Sequence, residues 1–283
     1  MPFVLARRAA AAALLATVAI GADTVAAEPA APDFAGHRAV YEMHLDGRTD
    51  RSEIGAVEGR LVYEFSGSKC EGWASRFRLV TRLDPVEGRS RLTDLRTSSF
   101  ESGDGRAFDF LNENWVDRIK VEETKGSAAR DGGSVRVRLE RPAAKEVVLP
   151  AGVRFPTDHL RAIVAAAEAG KTLTEIDLYD GSETGEKPYR TSVVIGREET
   201  GADDTAKEPA AAADLLKGHR RWPVSISFFD LSKVDQGEMT PDYQLSFLLY
   251  DNGVSRRLRF DYGSFSLSGD LSALTPLPSA ACP

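Results

Sequence analysis

The stretch LPAGVRFPTDHLRAIVAAAEAGK, Leu149 to Lys171, is the one place where the chain stops reading as strands. Leu160, Ile163, Val164 and Ala167 fall at i, i+3, i+4 and i+7, which puts an apolar stripe on one face of a helix. Pro156 forbids helix before it, Thr157 or Asp158 offers a cap for the free amides of the first turn, and Gly170 supplies a left-handed exit. The spacing predicts about four turns whose apolar stripe needs a sheet to cover it, with Arg161 on the polar side.

Outward from this helix, in both directions, the pattern has period two. Phe77, Leu79, Thr81 and Leu83 alternate with arginines and Val80; Val135, Val137 and Leu139 alternate with Arg136 and Arg138. The alternation returns at Val224, Ile226 and Phe228, and again at Leu258, Phe260 and Tyr262. Turn signals punctuate the runs: Asp46-Gly47, Asp84-Pro85, Asp131-Gly132-Gly133, Asp180-Gly181 and Asp251-Asn252-Gly253. Asn252-Gly253, between Leu245–Tyr250 and Val254–Tyr262, is the strongest hairpin signal. The runs amount to about fourteen strands on both sides of one helix, which favours a mainly β fold: a large antiparallel meander curled into a spiral or open barrel around a single central helix. Glu198 to Lys217 lacks the alternation and reads as a mobile surface loop, with a short helix expected at 210–216.

The first 27 residues have the layout of an export signal. Arg7 and Arg8 form the basic end, Ala9 to Ile20 the apolar run, and Val25-Ala26-Ala27 the small-residue cleavage site. The apolar run is too short to span a bilayer, and no later window approaches 18 uninterrupted apolar residues. The expectation is an exported periplasmic protein, not membrane-spanning, whose residues 28–283 form one domain. Removing Arg7, Arg8 and Asp23 moves the net charge from −7 to −8, which argues against nucleic acid as a general partner. Cys70 and Cys282 are the only cysteines, and in an oxidising compartment they read as one disulfide.

Each constellation that could carry chemistry has a simpler competitor. Ser66-Gly67-Ser68-Lys69 fits the S-x-x-K spacing, but it follows a strand, contains Gly67 and has no K-T-G companion, so a strand-end turn is the better reading. Asp180-Gly-Ser182-Glu-Thr184-Gly185 imitates the first half of a calcium loop, yet the twelfth position is Thr191 rather than a bidentate glutamate. His37, His44, His159 and His219 show no metal-ligand pairing, and His159 reads as a packed, hydrogen-bonded histidine. Glu122-Glu123 and Asp203-Asp204 are strand or loop neighbours that read as solvated surface. No nucleophile elbow, phosphate loop or dinucleotide fingerprint is present, so neither a catalytic, cofactor nor metal site is expected.

A set of motifs in fixed order adds a resemblance. Pro150, Phe155, Pro156 and His159 in the L-P-x-G-x-x-F-P-T-x-H run, Gly170, Asp180 and Gly181, Trp222 and Pro223, Asn252 and Gly253, Asp261-Tyr-Gly263 and the terminal Cys282 together resemble the cell-envelope integrity protein EipB family over nearly the whole mature chain. That resemblance implies a periplasmic β-spiral stabilised by a disulfide, needed for envelope integrity. It leaves two functions: a non-enzymatic factor, a monomer that binds a periplasmic protein such as a helical-repeat protein, or a carrier holding an acyl chain, lipoprotein or extended peptide in its concave face. A filled interior favours the first, a partly empty apolar one the second.

Overall fold

The computed structural model describes residues 34–201, 206–231, 240–278 and 282. The export-signal segment and the Asp203-Asp204 pair lie outside the described residues. Fourteen strands form one antiparallel sheet. In chain order they are β1 (His37–Arg48), β2 (Ile54–Ser68), β3 (Gly72–Pro85), β4 (Arg91–Glu101), β5 (Ala107–Val116), β6 (Ile119–Asp131), β7 (Ser134–Arg141) and β8 (Lys145–Pro150). After the helix α1 (Pro156–Glu168) come β9 (Leu173–Leu178), β10 (Tyr189–Ile195), β11 (Arg221–Asp230), β12 (Tyr243–Tyr250), β13 (Ser255–Asp261) and β14 (Phe265–Pro276).

The spatial order is β8-β7-β6-β5-β4-β3-β2-β1-β14-β13-β12-β11-β10-β9. Every strand therefore neighbours its sequence neighbour except at two places: the first and last strands meet in the middle, and α1 separates the two edges. Short hairpins make most of this order inexpensive, since those pairings close small loops; the β1–β14 pairing joins the two ends of the chain, and β10–β11 spans residues 196–220. The Asp251-Asn252-Gly253 turn joins β12 to β13, with the Gly253 amide bonded to the Tyr250 carbonyl at 2.9 Å.

Alternation decides what faces inward. Tyr41, Met43, Leu61, Phe65 and Trp73 on β1–β3 share one buried cluster with Val193, Trp222, Val224, Ile226 and Leu249 on β10–β12. The helix supplies the opposite wall: Ile163 and Val164 are 0 % exposed within the same cluster, and Leu160 packs against it partly buried. Full burial of a side chain such as Ile163 contributes on the order of 2–3 kcal/mol. A second cluster gathers Phe108, Phe110, Val135, Val137, Leu149, Phe155 and Tyr179 beneath β5–β8.

Three local expectations need correction. The first turn of α1 is capped by neither Thr157 nor Asp158; the N-cap residue is Phe155, which makes no side-chain cap bond. The amides of Thr157 and Asp158 instead bond the carboxylate of Glu101 on β4, at 2.8 and 3.2 Å. Arg161 does not simply point to water either, since its guanidinium lies 4.8 Å from the Trp73 ring centre and 5.7 Å from that of Phe34. The 198–217 segment is docked rather than mobile in its latter part. Its two 3₁₀ turns, Pro209–Ala212 and Asp214–Leu216, bury Ala211 and Leu216, and Glu208 is 2 % exposed. Alternation is blind to such a segment because a buried ion pair and a few apolar contacts without a period, Ala211 and Leu216 among them, hold it down.

Candidate functional site

The candidate site is the neighbourhood of α1, where the two edges of the sheet come together. Pro150 ends β8, and Gly152 leads into Val153-Arg154-Phe155, which runs alongside β9. Arg154 makes an isolated parallel bridge to Leu178: its amide donates to the Asp177 carbonyl at 2.7 Å, and its carbonyl accepts the Tyr179 amide at 2.8 Å. One residue thus stitches the incoming chain onto the last strand. Pro156 follows at the first helical position, where its fixed φ suits the turn and no amide is missed. Phe155 is fully buried, stacked on Phe108 at 5.2 Å with the Arg130 guanidinium 4.8 Å from its ring centre.

The first turn of α1 concentrates charge. Glu101 is 3 % exposed, and burial raises its carboxyl above the usual range, against the opposing pull of the Thr157 amide. Asp158 accepts a bond from Arg154 Nη1 at 3.0 Å. His159 is 5 % exposed. The Thr191 hydroxyl spends its proton on the Ile176 carbonyl at 2.7 Å, so it accepts from His159 Nε2–H at 2.8 Å. Burial, and secondarily Arg154, push this imidazole down to about 4, so the ring is neutral at pH 7. It is a structural link between α1 and β10.

At the other end Gly170 takes φ +71°, and its amide and that of Lys171 close on the Ala167 and Ala166 carbonyls at 2.9 Å each. Ala165 and Ala169 are exposed, and Ala162 lies half-buried at the border of the core. Between them and the edge of β9 lies a cleft of about 680 Å³, walled on the strand side by Glu175 and Asp177. A smaller cleft of about 330 Å³ at the helix start is lined by Glu101, Arg130 and Asp158, and both clefts share Gly152 and Arg154. A groove of about 460 Å³ on β10–β13 is lined mostly by apolar groups, among them Val194, Pro223 and Leu248, and is bordered by Arg257 and Arg259. A smaller opening among β4–β6, about 270 Å³, is lined by Leu95, Thr97, Asn112 and Thr124, with Glu113, Glu122 and Glu183 at its border.

The other sequence-marked residues sit elsewhere and act structurally. Asp180 Oδ1 accepts the Ser182 amide at 2.9 Å, a turn rather than a chelate, and Gly181 at φ +69° lies so close to Phe110 that an added Cβ would come within 2.4 Å of the ring. Trp222 is buried beneath the Arg220 guanidinium, 4.8 Å from its ring centre, while Pro223 faces the opposite side of β11 beside Gly196. The Asn252 amide donates to the Leu215 carbonyl at 2.8 Å, tying the hairpin to the docked loop; Gly253 at φ +85° leaves room for Phe34. Ser68 Oγ accepts the Glu71 amide at 3.3 Å in the β2–β3 turn. In that turn Cys70 forms a disulfide with Cys282, with Cα atoms 5.6 Å apart.

Among the described residues no group of three or more His, Cys, Asp or Glu side chains is placed to hold a metal ion. No helix among them is long and apolar enough to cross a membrane. The residues that sequence reasoning missed are Glu101, Arg154, Glu208 and Arg256. Glu208 accepts from Arg256 Nη1 at 2.8 Å and from the amides of Arg257 and Leu271 at 3.0 and 2.9 Å. None carries a local signal for these contacts, because Glu101, Glu208 and Arg256 acquire their partners, and Arg154 its bridge to Leu178, only when distant segments meet.

Comparison with known proteins agrees with this fold. A family model described as EipB-like matches residues 28–278. The chain is 39 % identical over 269 residues to the cell envelope integrity protein EipB of Brucella abortus (strain 2308), covering 94 % of each protein. A crystal structure of a beta-barrel-like protein from Brucella abortus is similar with a TM-score of 0.80 and 38 % identity, covering 88 % of this chain and all of that one.

Proposed function

Since the chain belongs to the EipB-like family, we propose that it is an exported periplasmic factor that supports envelope integrity by binding a protein partner, without an enzymatic step. The observation that carries this reading over a lipid carrier is the filled interior. Ile163 and Val164 of α1, Trp73, Trp222, Phe155 and Tyr179 occupy the space that a carrier would leave for an acyl chain. Ligand cavities are predominantly apolar concavities of about 300–1,000 Å³. Here the large cleft beside α1 is walled by alanine methyls and charged side chains, and the more apolar cleft, about 460 Å³ on β10–β13, is an open groove bordered by Arg257 and Arg259. The name of the Brucella relative supports the envelope role. The export-signal layout of residues 1–27 and the Cys70–Cys282 bond support an oxidising compartment.

Deleting the gene is expected to sensitise cells to detergent and to cell-wall antibiotics, and plasmid-borne Ser68→Ala or His44→Ala is expected to restore resistance fully. Unchanged sensitivity in the deletion strain overturns the envelope role. A folded Ser68→Ala protein that fails to protect overturns the non-enzymatic part. Lipid found in stoichiometric amount on the purified protein by native mass spectrometry selects the carrier instead.

A further inference from the structure

The geometry points to the open edge of β9, facing the alanine side of α1, as the docking site for an extended segment of a partner protein, which adds to the sheet as one more strand. This rests on the binding reading above and specifies where and how the partner is held.

The edge is defined by alternation. Parallel bridging to Arg154 uses the Asp177 carbonyl and the Tyr179 amide, so the main-chain groups of odd-numbered residues point away from β10. The Thr172 carbonyl, which accepts the Ile195 amide on the β10 side, confirms the phase. Leu173, Glu175 and Asp177 therefore turn their amides and carbonyls to the cleft, and among the described residues only the Asp177 carbonyl has a main-chain partner there, Arg154. Folded sheets ordinarily cover, shorten or charge such an edge. β9 is short and carries Glu175 and Asp177, and its free main-chain groups face a cleft of about 680 Å³.

The chemistry of the free edge selects the occupant. A row of alternating donors and acceptors is matched by another main chain in extended conformation, and an aliphatic tail offers neither. Arg154 already shows the mode, since this residue of the protein's own chain occupies the first rung in parallel orientation. Short of the rung that Arg154 occupies, Leu173 to Ile176 give about 13 Å of free edge, and the 13 residues of α1 give a wall of about 20 Å. An added strand directs alternate side chains at Ala162, Ala165 and Ala169, whose methyl groups leave space for Ala, Val, Ser or Thr. Its other side chains lie beside Leu173, which is 59 % exposed, and Glu175.

The test uses the full mature protein and a pooled library of eight-residue peptides in which Ala, Val, Ser or Thr alternate with charged residues. The comparison variant is Glu175→Pro: it deletes an amide that faces the cleft and spares the β9–β10 bonds, and edge positions tolerate proline. Peptides enriched on the wild-type protein are expected to slow hydrogen exchange at the Glu175 and Asp177 amides. They are expected to bind Glu175→Pro at least about tenfold more weakly, and to lose a similar factor when their own alternate amides are N-methylated. Ala165→Trp, which fills the cleft from the exposed side of the helix and leaves the edge intact, is expected to give the same loss and carries the test if Glu175→Pro does not fold. No enriched peptide, or equal enrichment on wild type and folded variants, overturns the β9 site. That result leaves the binding reading standing, because envelope protection in cells tests it separately.

Discussion

Glu101 Oε2 accepts the Thr157 amide at 2.8 Å, so a carboxylate on β4 caps a helix that begins more than fifty residues later. Two amides that the helix itself leaves without partners are satisfied this way, and the negative charge sits at the positive end of the helix dipole. Glu101→Ala removes both bonds inside a dry site and is expected to cost about 2 kcal/mol. Glu101→Gln keeps one acceptor and should cost less. Urea midpoints of the two variants check the order; equal midpoints would mean that the cap contributes through shape alone.

The neutral His159 makes stability depend on acid. Its folded value is about 4 against 6.5 for the free group, so the unfolded chain binds more protons between those pH values. Stability from this group is complete above about pH 6.5 and is lost as pH falls towards 4, by about 3 kcal/mol in all. Buried His37, also held below its ordinary value, acts in the same direction. Glu101, held above its ordinary value, acts in the opposite one, favouring the folded state as acid is added. The difference between wild type and His159→Gln isolates the histidine: denaturation at pH 7.5, 5.5 and 4.5 should show a flatter profile for the variant, and parallel profiles would refute the assignment.

The Cys70–Cys282 bond closes a loop with a sequence separation of 212. On the chain-entropy account such a loop restricts the unfolded chain by about 5 kcal/mol, reduced where the unfolded chain keeps residual structure. Cys70→Ser, or reduction with dithiothreitol, should therefore lower the thermal midpoint by many degrees. Thiol labelling of the denatured, unreduced protein should detect no free sulfhydryl; labelling at both positions would disprove the bond.

Glu208 and Arg256 form an ion pair in which the side chains are 2 % and 0 % exposed. Removing one partner of such a pair leaves the other charged in a dry site, which costs about 3–5 kcal/mol. Glu208→Ala should fall in that range and release the 3₁₀ turns from β12–β14, visible as faster hydrogen exchange at Leu216. The neighbouring pair Lys217–Asp214 is 69 % and 93 % exposed. Asp214→Ala should therefore change stability by less than about 0.5 kcal/mol. Comparable losses in both variants would mean that the loop does not depend on the buried charge.

Much of the architecture was legible from local pattern. Period-two runs, the Asp251-Asn252-Gly253 turn and the single period-3.6 stretch between Pro156 and Gly170 specify strands, a hairpin and one helix, because backbone geometry imposes those periods on whichever face is buried. Two cysteines in a chain with the layout of an export signal suggested their pairing by number alone. What the pattern did not carry were the contacts between elements that become neighbours only on closure. Glu101 reaches Thr157 because β4 curls under α1, Glu208 reaches Arg256 because the loop folds back over β13, and Arg154 reaches Leu178 because the two sheet edges converge. Each is a polar group whose partner lies tens of residues away, with no periodicity between them to announce it. Among the described residues the same convergence leaves Leu173 and Glu175 of β9 without a main-chain partner beside the alanines of α1. The helix was readable from its residues, but which of its two faces would border an unpaired strand was decided by how far the sheet closes.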